Sequence, residues 1–186
     1  MSPGLAVVAT GTAIATDRVR PAHNSPSFFA DPAGWLVAAA VQDALAGCTE
    51  PVLADPDQVG VLVLSATGPA RSMRDIAGTA TRGMVSPLRF AGANPGVLAG
   101  LACIRWRLRG PSLNLAMAPA DGVDVARTVV TAWLTGGQAT WVLVAGHHDA
   151  GDQQIARCAV ATLAGPHHTG LSLAAALVPL EAPDDR

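Results

Sequence analysis

The residues with the atoms for chemistry fall in the second half of this 186-residue sequence. His147, His148 and Asp149 follow an apolar run, Trp141 to Ala145, and His167 and His168 sit in a later Gly-Pro-His-His-Thr-Gly turn. Four histidines and an aspartate are a possible metal or acid–base set, and strand ends are frequent functional positions in open α/β sheets. Adjacent histidines on extended backbone point to opposite sides, however, so each pair offers one ligand to a given point. No HExxH or comparable spacing is present, and the expectation is solvent-facing turn residues with no metal and no cofactor. Cys158 lies near the histidines as a candidate thiolate nucleophile. Its neighbours Ala156, Ala159 and Val160 make an apolar setting that raises a thiol's pKa, and Arg157 faces the opposite side of a strand. Cys103 falls in a helical apolar stripe and reads as core.

A third candidate is a place rather than a group. Gly110 to Asp121, GPSLNLAMAPAD, is an extended run, a small-residue elbow and a helix start. Such turns seat nucleophiles in many α/β enzymes, because N–H groups at a helix start stabilise negative charge. The tip reads Met117, Ala118, Pro119, Ala120, with no Cys, Ser or Lys.

The elements that position these residues alternate. Leu5 to Thr10 is a strand ended by Gly11, and Pro21 to Pro32 a loop. A helical stripe runs from Trp35 through Val37, Val41, Ala44 and Leu45 to Gly47. Pro51 to Asp57 is a loop; Val59 to Leu64, apolar without alternation, is a strand covered on both faces. Arg71 to Gly83 is a helix and Ser86 to Asn94 a loop. Pro95 opens a helix through Val97, Leu98, Leu101 and Ile104 to Leu108, which Gly110 ends. Ser112 to Met117 is a strand, Asp121 caps a helix to Gly136, and Thr140 to Ala145 is a buried strand. Cys158 to Leu163 and Leu171 to Leu180 read as adjacent strands. The fold class is α/β, a mixed sheet covered by helices on both faces, in one domain over 1–182 with a polar tail, 183–186.

Composition limits the partners. The net charge of −2 provides no basic field for nucleic acid and no polybasic membrane patch. No apolar run reaches the ~18 residues of a membrane span, and the N-terminus lacks the basic region of a signal peptide. Cys48, Cys103 and Cys158, odd in number and widely spaced, predict reduced thiols and a cytoplasmic setting. Only 14% of residues are charged, against ~25% in average soluble domains, which predicts surface buried against another subunit.

Residues 86–148 resemble the first half of a β-ketoacyl synthase, a family of the thiolase fold. The matches are Ser86-Pro87, Phe90, Pro95, Gly100, Arg109-Gly110-Pro111-Ser112, Gly122, Ala126, Leu134-x-Gly136 and Val142 to Gly146. Val7 to Ala15, Val59 to Leu64 and Ser172 to Glu181 resemble other strands of the same half. On this motif the family's nucleophilic cysteine falls on Pro119, which has neither a nucleophilic atom nor an N–H. The family's two catalytic histidines belong to its C-terminal half, and His147 and His148 align with neither.

The resemblance therefore implies a non-catalytic subunit like the chain length factors of type II polyketide and aryl-polyene systems. Such a subunit pairs with an active ketosynthase as a heterodimer, and meets acyl carrier protein only through it. By the same resemblance Ser112, Leu113, Asn114, Leu115, Ala116 and Met117 form the dimer-axis strand. Phe90, Met117, Ala118 and Pro119 are the vestigial elbow lining the acyl tunnel, where each buried CH2 favours growth by ~0.8 kcal/mol until a wall is met. Two alternatives stay open: a self-sufficient hydrolase or acyltransferase using Cys158 or the His147/His148/His167/His168 region, and a homodimeric acyl-binding module.

Overall fold

The computed structural model describes residues 4–15, 30–150, 153–165 and 171–178. Its centre is a five-stranded mixed sheet of β1 (Leu5–Ala15), β2 (Val59–Ser65), β3 (Ser112–Leu115), β4 (Trp141–Ala150) and β5 (Gln153–Leu163), in the order β1-β5-β4-β2-β3. β2 runs parallel to both β3 and β4, while β5 is antiparallel to β4 and β1. Every residue of β2 is buried, as its unbroken apolar run requires of a strand with two covered faces.

Side-chain alternation sorts the interior into two layers. Val59, Val61, Val63, Leu143, Ala145, Cys158 and Val160 face α1 (Pro32–Ala46) and α4 (Val97–Trp106). Leu62, Leu64, Val142, Val144, Ala159 and Ala161 face α5 (Pro119–Thr135) and α6 (Leu173–Leu177). Between β2 and α4 the chain forms α2 (Ala70–Ala80) and α3 (Pro87–Gly92). Among the described residues no helix is long and apolar enough to cross a membrane.

Several elements differ from the sequence expectation. β1 does not stop at Gly11: it continues to Ala15, with an irregularity in its pairing between Val7 and Ala9. Gly11 serves close approach, since a Cβ there would overlap Ala44 N and Ala40 O of α1. α1 starts three residues before Trp35, because Asp31 caps it by accepting the Ala33 N–H at 2.9 Å. Two single-turn 3-10 segments occupy part of the 51–57 loop. Ser86 caps a short helix where a loop was expected, accepting the Arg89 N–H. α4 begins at Val97, two residues after Pro95, and ends where Arg107 adopts the left-handed conformation at φ 57°.

The C-terminal elements differ as well. α5 begins at Pro119, with Ala118 at the cap position; Asp121 lies in its first turn. β3 ends at Leu115, before Ala116 and Met117. β4 runs on to Ala150, so His147, His148 and Asp149 belong to the strand, and β5 starts at Gln153. The run from Leu171 contains a helix, α6, capped by Ser172, in place of a strand. The His167-His168 turn and most of the 21–32 loop lie outside the described residues.

Gly11 and Gly100 form a matched test of this packing. Gly11→Ala is expected to cost about 1–3 kcal/mol, because a backbone overlap cannot be relieved by a rotamer change. Gly100, inside α4 with open space around its Cβ position, is expected to gain about 0.5–1 kcal/mol as Ala. Urea unfolding of the two variants measures both; equal effects would contradict the packing.

Candidate functional site

β2, β3 and β4 are parallel and end on the same side of the sheet. The chain leaves β2 towards β3 and leaves β4 towards β5, in opposite directions. In open α/β sheets, such divergence leaves a crevice outside the carboxyl ends of the two strands. Ser65 and His147 are register partners across that junction.

Their side chains meet. Ser65 Oγ and His147 Nδ1 are 2.9 Å apart, and the Gly68 N–H donates to Ser65 Oγ at 2.8 Å. Gly68 engages one of the two lone pairs of Ser65 Oγ, so the hydroxyl meets His147 Nδ1 as donor or acceptor according to whether the ring proton sits on Nδ1 or on Nε2. His147 Nε2 is buried and without a partner among the described residues. Both residues are nearly enclosed, Ser65 at 5% exposure and His147 at 3%. Burial pushes the His147 pKa down from 6.5; the charges of Asp149 and Asp31 oppose that shift and His148 adds to it. Asp31 is itself buried, its carboxylate taking N–H groups from Ala33 in α1 and from Ser72 in α2 at 2.8–2.9 Å.

His148, one residue on, turns to the other face, where its Nε2 meets the Leu177 carbonyl at 2.9 Å. The opposed directions expected of adjacent histidines hold, but the expected solvent exposure of His147 does not. The missed signal was parity: Leu143, Ala145 and His147 are one alternating series, and two buried residues precede the histidine.

Cys158 is fully buried, and enclosure drives its thiol pKa far up. It is therefore protonated and unreactive. Arg157 faces the other side, where it donates to the Val178 carbonyl at 3.4 Å. Cys103 is half-buried with a pKa also raised by burial, against a smaller opposing backbone hydrogen bond.

The elbow lies on the α5 side of the same sheet end. Pro119 is buried at the first position of α5, and a Cβ added at Gly146 would come within 3.1 Å of its ring. Glycine at 146 thus lets the elbow sit directly on β4. Met117 is half-buried and packs with the α5-side core, while Phe90 stands 64% exposed on α3. The structure therefore joins Met117, Ala118 and Pro119 at one turn and places Phe90 on a separate helix. β3 leads into the elbow, and among the described residues β2 is its one neighbour in the sheet.

The fold is similar to part of solved ketosynthase and chain length factor structures. The solved structure of the ishigamide ketosynthase/chain length factor superposes with a TM-score of 0.64 at 14% identity, over 87% of this chain and 62% of that one. A β-ketoacyl synthase from Burkholderia phymatum STM815 gives 0.67 at 13% identity, over 87% and 59%. A ketosynthase in complex with its chain length factor from Xenorhabdus doucetiae gives 0.64 at 14% identity, over 88% and 80%. The chain thus spans about three-fifths of the length of the first two. No protein-family model and no curated protein matches the sequence.

The His147 environment predicts a pH dependence. In the unfolded chain the imidazole takes up its proton near 6.5, whereas in the fold its pKa lies lower. The unfolded state then binds more protons over that interval, so this group's contribution is complete above 6.5 and falls as pH drops towards the folded value. Urea unfolding between pH 7.5 and 5 should show this loss, and His147→Asn should flatten it; an unchanged slope would contradict it.

Proposed function

We propose that this chain is a ketosynthase-like subunit without condensing activity, which pairs with an active ketosynthase and shapes or supports its acyl tunnel. The observation that carries the reading is a strand, β3, that ends the sheet among the described residues, together with a set of exposed apolar side chains, on a fold similar to that of solved ketosynthases. An open sheet edge is an association hazard unless a partner covers it. Met84, Val85, Leu88 and Phe90, across the end of the α2–α3 segment and α3, are 49–64% exposed. Ile104 on α4, at 69%, adds to the uncovered apolar surface. Large side chains of this kind in a chain with so few charges favour a protein partner.

The chemistry agrees with a supporting role. Proline at the elbow supplies no thiolate for acyl transfer and no N–H for an oxyanion at that position. Cys158, the buried thiol, offers no substitute. The partner would supply the nucleophile and acid–base groups, and carrier protein would be engaged through it. One structural relative is itself a ketosynthase solved with its chain length factor, which supports the pairing by analogy of fold.

Co-expression with the ketosynthase encoded nearest to this chain is expected to yield a heterodimer by size exclusion with light scattering. Leu88→Asp with Phe90→Asp should abolish it while leaving the monomer folded, because both residues are exposed. A folded chain that never associates, or pairing indifferent to both charges, would overturn the interface. In the reconstituted pair, Met117→Trp or Phe90→Trp is expected to shorten the products. Unchanged product length would remove the ruler role and leave the scaffold role standing.

A further inference from the structure

A cavity of about 190 Å³ opens beside Ser65, on the α1/α4 side of the sheet and therefore on the opposite face from Pro119. Pro69, Pro95, Leu98 and Leu115 give it apolar walls, and Ser65 and Asn114 bring polar atoms to it. Asn114 Oδ1 accepts the Ala99 N–H at 3.2 Å, which fixes the carboxamide and leaves its Nδ2 hydrogens as donors with no partner among the described residues. The wall thus holds a hydroxyl hydrogen-bonded to a buried imidazole, and a free N–H donor on the neighbouring strand.

We propose that Ser65 is a nucleophile activated by His147, and that the cavity accepts a short acyl group carried as an activated ester or thioester. Ser65 Oγ forms a bond to the acyl carbonyl carbon and passes its proton to His147 Nδ1, while Asn114 Nδ2 donates to the developing oxyanion. The carbon–leaving-group bond breaks, and the departing alkoxide or thiolate takes the proton from His147. Water then adds to the acyl-serine, again with His147 as base. The carboxylic acid leaves, and the proton returns to Ser65. The lowered pKa of His147 favours the neutral imidazole, and its tautomer with the proton on Nε2 presents the Nδ1 lone pair to Ser65.

Three features carry this assignment. A serine–histidine pair at 2.9 Å lies across the junction of β2 and β4. The histidine's other nitrogen is enclosed without a partner among the described residues, a costly arrangement for a purely structural group. The serine opens into a cavity whose apolar walls and small volume suit a short chain. The site is independent of pairing with a ketosynthase, since Ser65 and His147 come from this chain alone.

The test uses the full chain without a partner. A small-alkyl fluorophosphonate is expected to label one serine, mapped to Ser65 by peptide mass analysis. p-Nitrophenyl acetate should be hydrolysed at least tenfold faster than p-nitrophenyl decanoate, with transient acyl-enzyme of matching mass. Ser65→Ala should lose both label and turnover, and His147→Asn should lower turnover at least tenfold with the near-native circular dichroism retained. Asn114→Ala should lower the acylation rate. Labelling of any other residue, or folded wild-type protein inert to both reagents, overturns the nucleophile. Equal rates for acetate and decanoate overturn the short-chain assignment. The mapping on wild-type protein decides the matter even if a variant does not fold.

Discussion

The structure depends on burying β2 on both faces while pairing it on both edges. Seven consecutive buried residues require helices above and below, because each face would otherwise expose a row of branched aliphatic groups. They also require neighbours on either side, because buried N–H and C=O groups need partners. β4 meets one edge and β3 the other, and α1 with α4 and α5 with α6 supply the two covers. Ser65 is the last residue of this strand, so its position opposite His147 is set by the register of the most buried element in the molecule.

The same constraint explains why the two faces differ chemically. On the α5 side the strand end is closed by a proline lying on a glycine, Pro119 over Gly146. On the α1/α4 side the end of β2 stays partly open, because the turn after Ser65 folds back to place Gly68 N–H on the serine hydroxyl. Asp31 ties α1 to α2 by accepting the Ala33 and Ser72 N–H groups, and its charge acts on His147.

How legible these features were depended on whether local pattern or tertiary environment decided each one. The unbroken apolar run of β2 and the helical stripes of α1 and α5 specify their elements locally, and the α/β class with two covered faces follows. The RGPS and SPxxF residues carried the resemblance that the fold bears out. Other elements were decided by contacts. Gly11 read as a strand end because Gly-Thr at 11–12 is a turn signal, yet it is the place where β1 approaches α1. The polar run His147-His148-Asp149 read as a turn, although pairing with β5 extends β4 through it. Leu173–Leu177 is apolar on a scale too short for periodicity to separate strand from helix. The Ser65–His147 pair was invisible for a different reason: its members are 82 positions apart, and only register joins them.

The central claim is that the β3 edge and the apolar α3 surface form a protein interface. Hydrogen–deuterium exchange of this chain, alone and with its neighbouring ketosynthase, tests it most directly. The account predicts slowed exchange confined to 84–90 and to Ser112–Leu115 on addition of the ketosynthase. Protection located elsewhere, or none in a folded chain, would contradict it.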